Sequence, residues 1–395
     1  MAIRHRVALI IESSRAYGRG LLRGISAYAH AHGPWSIYVE PRAPRDPLPH
    51  WLDDWDGDAI IARIESKQMA RKILAKKLPT VDLRGLLMDL KVPLLETNDE
   101  CVPQMAFEHL RERGFWRFAF VGFVHHNYSD TRCAAFTKIV RDAGFECRVY
   151  ETPRELQEAA SWEEVQHGLV AEEHLPKWLQ SLPKPIGLMA CNDVRGQQVL
   201  NACREAGIAV PDDIAVIGVD NDEVLCDLAD PPLSSVAPNT YQIGYEAAAL
   251  VDRLLEGGKP AKKPTYIDPI GVVTRVSTDV LAIEDRQIAA AVRFIRDHAS
   301  EGIDVDAVVD AVPLSRSSLE RRFRAALGRS PHDEILRARL NRVKDLLVRT
   351  DYPLTAIAQM TGFEHPEYMS VLFKRKEGIT PGQYRARSQG VSEPD

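Results

Sequence analysis

The sequence predicts two parallel α/β lobes followed by an all-α domain that carries two helix-turn-helix units. Three observations predict it. Through about residue 275, apolar runs of strand length alternate with longer stretches of helical period. From Glu284 onward every periodic segment is helical. Near the C-terminus an apolar helix, a tight turn and a short cationic helix ending Phe-x-x-x-x-Gly occur twice, the first copy closing at Gly328 and the second at Gly378.

The first strand is expected at 7–11, where Glu12 ends the apolar run too early for a leader segment or a membrane span. Further strands are expected at 35–39, 59–61, 118–122, 186–190 and 214–219. Helices are expected between them at 19–32, 102–113, 132–143 and 197–206, and Gly33, Gly114, Gly144 and Gly207 stand where helices commonly stop. Such alternation means parallel sheet with helices on both faces. It continues too long for one open sheet, so two lobes are expected.

Beyond Asp279 the strand signals cease, and helices are expected at 287–298, 304–312, 315–327, 331–349, 354–360 and 366–376. The predicted domains are therefore 1–278, a linker at 279–286, a helical domain at 287–388 and a disordered tail at 389–395.

Charge supports this division. Across the 395 residues the net charge is −6, yet residues 313–388 hold 15 Lys and Arg against 8 Asp and Glu, a local +7 on a body of −13. A basic end on an acidic body is the footprint of a nucleic-acid-binding module attached to something else. The six cysteines, at 101, 133, 147, 191, 203 and 226, include no Cys-x-x-Cys pair, so neither a metal site nor a disulfide framework is expected, and no cofactor is implied. Buried thiols in a reducing cytoplasm fit the pattern better.

In the first helix-turn-helix unit Ser315 stands as the N-cap, Leu319 and Phe323 face inward, and Arg316, Ser317, Glu320 and Arg321 are offered to base edges. Arginine can bond guanine in bidentate fashion, glutamate can accept from cytosine, and serine is permissive. In the second unit Pro366 opens the helix and Met369, Leu372 and Phe373 form the buried stripe. Glu367, Tyr368 and Ser370 then face the bases, with Lys374 and Arg375 nearer phosphate.

With Ile357-Ala358, Gly362-Phe363 and Pro381-x-x-Tyr384, these residues resemble the DNA-binding module of the arabinose-operon activator family over about 100 residues. The resemblance implies a double-stranded DNA operator as partner. It also implies that the central helix at 331–349 holds both reading helices in adjacent major grooves. Two residues depart from the family pattern: Val371 replaces a polar or cationic reader, and His365 replaces the usual Asp or Ser cap. The second helix is therefore expected to read fewer bases.

A two-lobed parallel body places its ligand beyond the C-terminal strand ends. The residues there are Ser14, Arg15 and Tyr17 after the first strand, Arg132 opening a helix, Asn192, Asp193 and Arg195 after the strand at 186–190, and Asp220 and Asn221 after the strand at 214–219. Carboxylates, amides and guanidinium groups in one place suit a neutral polyol, because each hydroxyl both donates and accepts.

Met189–Asp193, Ile214–Asn221, Pro231–Val236 and the Arg132-x-x-Ala-Phe segment resemble the ligand domain of the lactose/galactose-repressor family and of periplasmic sugar-binding proteins. No DNA headpiece or leader is expected ahead of the first strand. Over nearly the whole chain the combination resembles the family of xylose-operon activators. That resemblance implies a small sugar effector, with xylose leading, a homodimer, and RNA polymerase as a further candidate partner. Asn98 and Asp99 stand in reverse order to the family pattern, and the loop at 125–130 matches it poorly.

An α/β enzyme remains as the alternative. Gly18-x-Gly20-x-x-x-Gly24, with Glu40 ending the next strand, imitates a dinucleotide fingerprint, although six residues separate the strand from its first glycine. Ordinary helix packing explains these glycines better. A cytoplasmic, sugar-responsive transcription factor without enzymatic activity is the reading carried forward.

Overall fold

The computed structural model describes residues 4–389 except 34, 45, 88, 125, 154–173, 260–262 and 281–284. The expected tail from 390 onward and part of the expected linker therefore lie outside the described residues. The chain divides into two units, Met1–Glu108 with Arg117–Thr278, and His109–Trp116 with Asp279–Asp395.

In the first unit, β1 (Arg6–Ile10), β2 (Ser36–Tyr38), β3 (Ala59–Ala62) and β4 (Thr80–Asp82) form a parallel sheet in the order β2-β1-β3-β4. A pair of short parallel strands, β5 (Leu95–Thr97) and β11 (Thr265–Ile267), adjoins it through a bridge from Asp82 to Leu94. The second lobe is a six-stranded sheet of β6 (Arg117–Val121), β7 (Glu146–Val149), β8 (Ile186–Ala190), β9 (Ile214–Val219), β10 (Ser234–Ala237) and β12 (Gly271–Val273), ordered β12-β10-β9-β8-β6-β7. Only β12 runs antiparallel to its neighbour. The chain passes between the lobes at 97–101, 237–240 and 267–271.

β3, β8 and β9 are buried at every residue, which is why they read as unbroken apolar runs. β4, β5, β7, β10, β11 and β12, each three or four residues long, are additional to the expected strands.

Among the described helices of this unit are α1 (Ala16–His32), α2 (Lys67–Leu74), α3 (Cys101–Glu112), α4 (Asn127–Asp142), α5 (His174–Ser181), α6 (Asp193–Glu205), α7 (Glu223–Leu228) and α8 (Thr240–Leu255). Helices α1 and α8 pack backbone to backbone. A Cβ on Gly24 would lie 2.0 Å from the carbonyl oxygen of Tyr241, and one on Gly20 would lie 1.9 Å from Oγ1 of Thr240. Those glycines are accordingly required by helix packing, not by a dinucleotide.

The second unit contains α9 (Arg286–His298), α10 (Val305–Ala311), α11 (Arg316–Leu327), α12 (Pro331–Arg349), α13 (Leu354–Met360), α14 (Pro366–Glu377) and α15 (Pro381–Gln389). Its apolar residues form two cores. Ile288, Val292, Ile295, Val308, Leu319, Phe323 and Ile335 make the first; Val343, Leu347, Ile357, Phe363, Met369, Leu372 and Phe373 make the second. Helix α12 feeds both, Ile335 from its first turns and Leu340 to Leu347 from its last. It starts sharply because Pro331 follows Ser330, whose hydroxyl and Asp333 form a reciprocal capping box. The turn between α13 and α14 needs Gly362, whose φ of 73° is left-handed and whose Cβ would approach the Ala299 carbonyl at 2.7 Å.

A polar cleft and two helix-turn-helix units

The cleft of the first unit encloses about 220 Å³ and is lined from both lobes. On the first lobe, Glu12 follows β1 and pairs with Arg63, which follows β3. The Arg63 guanidinium lies 4.6 Å from the centre of the Tyr17 ring, and the Tyr17 hydroxyl sits 2.9 Å from that of Thr97. Burial pushes that phenol up to about 12, although Arg63 opposes the shift. Arg84, following β4, approaches Glu96 at 3.8 Å and stands over the Tyr128 ring.

On the second lobe, Arg132 of α4 donates from Nε to Asp99 at 2.8 Å and from Nη1 to the Cys191 carbonyl at 2.6 Å. Burial alone would lower this guanidinium, but Asp99 and Asp220 outweigh it and keep it firmly charged. Asn192 caps α6 through its Oδ1 and donates from Nδ2 to the Tyr128 hydroxyl at 3.2 Å. Asp220 lines the wall in a left-handed conformation, φ 105°, followed by Asn221 at φ 47°. Two successive left-handed residues without glycine are strained, and such strain collects where a loop must present a side chain.

Burial raises the Glu96 carboxyl to about 8, Asp99 adding to the shift and Arg84 and Arg63 opposing it. Near neutral pH this carboxyl is protonated and can donate as well as accept. Asp220 is also raised by burial, against the pull of Arg132 and Arg63. The cleft thus offers donors and acceptors in close alternation, the requirement for holding several hydroxyl groups.

In the second unit α11 and α14 share a buried stripe and a left-handed glycine stop but differ at their starts. Ser315 caps α11 by accepting from the Ser318 N–H, and Gly328 closes it in the left-handed conformation. Helix α14 has Pro366 at its first position, lacks a side-chain cap at His365, and closes at left-handed Gly378. Leu319 and Phe323 are buried in one, Met369, Leu372 and Phe373 in the other. Arg316, Ser317 and Arg321 are exposed, as are Glu367, Tyr368, Lys374 and Arg375. Glu320 is half-buried and faces Arg316, which also pairs with Asp306. Ser370 turns back to donate to the Pro366 carbonyl at 2.9 Å.

Three family models cover most of the chain: XylR N-terminal domain at 6–91, periplasmic binding protein-like domain at 107–278 and helix-turn-helix domain at 308–387. The xylose operon regulatory protein of Escherichia coli K12 is 34% identical over 97% of both chains, and that of Haemophilus influenzae is 31% identical over 96% of this chain and 98% of its own. The chain belongs to the xylose operon regulatory protein family. A solved structure titled as the xylose-binding transcription activator xylR aligns over 99% of this chain and 100% of its own, with 32% identity and a TM-score of 0.62. A ribose-bound LacI family regulator from Enterococcus faecalis, 20% identical with a TM-score of 0.53, shares the fold over 69% of this chain.

As a xylose operon regulator family member, the chain is a sugar-responsive transcription regulator with a DNA-binding helix-turn-helix domain, and the enzyme alternative falls. Of the ligand residues expected in this regulator, the fold brings Arg15, Tyr17, Arg132, Asn192 and Asp220 to the cleft wall. Ser14, Asp193, Arg195 and Asn221 do not line it. Ser14 is exposed, its carbonyl taken by Arg19. Asp193 is 2% exposed and accepts from Ser235 Oγ at 2.6 Å and from the Asp222 N–H at 2.8 Å. Arg195 is 0% exposed, packed over Phe123 and Tyr150 with Nη1 on Gln198. Asn221 accepts from Arg275. Helix α6 starts at Asp193, so the chain turns away from the cleft immediately after Asn192.

The sequence reading missed Arg63, Arg84, Glu96 and Tyr128 as wall residues of this regulator. Arg63 and Arg84 lie just beyond the C-terminal ends of β3 and β4, the same rule that found the others, but β4 had no legible signal.

Proposed function

We propose that the cleft binds D-xylose and that the bound sugar draws the lobes together, changing how the helix-turn-helix units engage an operator in the cytoplasm. The protein then works as an activator of sugar catabolism genes, as a homodimer that reads repeated half-sites and contacts RNA polymerase. The domains serving this are 1–278 for the sugar and 287–388 for DNA, joined at 279–286.

One observation carries this reading. Arg132 of the second lobe grips Asp99 on the crossing segment at 2.7 Å, directly beside the wall residues Asp220 and Tyr128. A sugar that bonds to these groups and also to Arg15, Tyr17 or Arg84 of the first lobe gains both sets of contacts only when the lobes are close. Relatives aligned over the full chain carry xylose in their names, which favours that pentose. Sugar can shift the lobes only by its differential affinity, and moving a population from 1:99 to 99:1 takes about 5.5 kcal/mol.

Titration calorimetry against D-xylose, L-arabinose, D-ribose and D-glucose tests the ligand, and operator binding with and without each sugar tests the coupling. Xylose should bind most tightly and alter operator affinity. Equal operator affinity with and without every sugar would overturn the coupling.

A further inference from the structure

The two helix-turn-helix units are registered fifty residues apart. Adding fifty to each landmark of the first copy gives its counterpart in the second: Leu319 and Met369, Phe323 and Phe373, Arg324 and Lys374, Gly328 and Gly378, Pro331 and Pro381. The buried landmarks are buried in both copies, and both glycines are left-handed. The register extends to the next cap, where Ser330 accepts from Asp333 N and Thr380 accepts from Gln383 N, both at 3.2 Å.

In this register Arg321 corresponds to Val371. Helical geometry puts each opposite the buried stripe, between the residue one turn before it and the cationic residue one turn after, Ser317 and Arg324 in α11, Glu367 and Lys374 in α14. Val371 is 68% exposed and Tyr368, one turn earlier, is 51% exposed. A β-branched apolar residue at the centre of a solvent-facing helix surface has no packing role and disfavours the helix slightly. The surrounding Lys374, Arg375 and Lys376 supply the charge for a phosphate backbone, so DNA is the occupant this face suits.

We propose that Val371 reads the C5-methyl group of a thymine in the major groove, at the position where Arg321 of the first unit reads a guanine. This rests on the DNA-binding reading of the domain and deepens it: the two units recognise different bases, so each half-site is asymmetric. Apolar side chains meet the thymine methyl, whereas arginine bonds guanine O6 and N7.

The test starts from duplexes selected by the purified full-length protein, with xylose present, from a random-sequence pool. In a selected duplex each thymine is replaced singly by deoxyuridine, which removes only the methyl. One replacement should weaken wild-type binding by about fourfold, the worth of one buried methyl group. Val371→Ala should bind the thymine duplex correspondingly less well and be indifferent to that replacement. Arg321→Ala should keep the deoxyuridine penalty but lose its preference at a guanine elsewhere in the half-site. Val371 is exposed, so its substitution leaves the fold intact. A selected duplex indifferent to every thymine methyl, or an undiminished penalty in Val371→Ala, overturns the inference alone. Recovery of no duplex overturns the DNA-binding reading and this inference with it.

Discussion

The carboxylate of Asp222 accepts the main-chain N–H of Ala16 at 3.2 Å, so a residue of the second lobe caps the first helix of the first lobe. Arg15, the residue in the capping position, makes no side-chain cap bond of its own. Asp222 is placed by its own N–H, which donates to the buried Asp193, and it also faces Arg19 at 3.5 Å. The strained Asp220-Asn221 pair is therefore tied to the ligand wall at one end and to the opposite lobe at the other.

Asp222→Ala should weaken sugar binding without touching a wall residue. Losing a cap of this kind costs about 0.5–2 kcal/mol, and because the bond joins the two lobes, on the proposed closure that cost falls on the closed form. Calorimetric xylose affinity should fall by roughly two- to thirtyfold on that basis. Unchanged affinity would show that the bond plays no part in closure.

Asp193 and Asp220 should separate into different phenotypes. Asp220→Asn should reduce sugar affinity with little change in thermal stability in the absence of sugar, because it relieves the burial of a charged wall residue. Asp193→Ala should lower the melting temperature first, since it leaves Ser235 Oγ and the Asp222 N–H without an acceptor, at about 1–3 kcal/mol for each buried group. Melting curves with and without xylose distinguish them, and equal unliganded stability in both variants would contradict the assignment.

The buried Glu96 predicts a pH dependence of defined sign. Between the ordinary value of 4.5 and about 8, the folded protein holds a proton that the unfolded chain has released. Stability of the sugar-binding unit therefore falls as pH rises through that window. Glu96→Gln should make the melting temperature fall less steeply between pH 5 and 8, leaving the slope contributed by Asp193 and Asp220, which burial raises from 3.8 to about 8 and about 6. Parallel pH profiles for wild type and variant would contradict this.

Arg321→Ala and Lys374→Ala should fail differently on DNA. The first should cost about 1–3 kcal/mol on the preferred site and relax choice at one base pair. The second should weaken all duplexes similarly and reduce the salt slope by about one unit. Binding measured from low to moderate salt on specific and unrelated duplexes checks both; a uniform loss in Arg321→Ala would remove it from the bases.

The helical domain was legible almost to the residue as far as α14, whereas α15 (Pro381–Gln389), which ends inside the expected tail, was not expected. The long helix 331–349 and the short one at 354–360 appear as expected, because Ser330, Pro331, Pro353 and the left-handed glycines Gly328 and Gly378 are local signals that act within one turn. The lobes were legible as alternation, with helix starts misjudged by a few residues: α4 begins at Asn127, not near Arg132, and α6 at Asp193, not Gln197. The wall was legible only where a long buried strand announced its own end.

What the sequence determined alone was therefore the class of each segment, the change of class near residue 280, the tandem reading helices and the polar character of the strand ends, all set by periodicity and caps over short spans. Only the tertiary structure decided which polar residues face the cleft. Asn192 and Asp193 are neighbours in sequence, yet one lines the wall and the other lies beneath it, because the first turn of α6 rotates successive side chains by about 100°. Arg63, Arg84 and Glu96 come from separate strands and meet only when parallel pairing aligns their ends, a register that no local signal encodes.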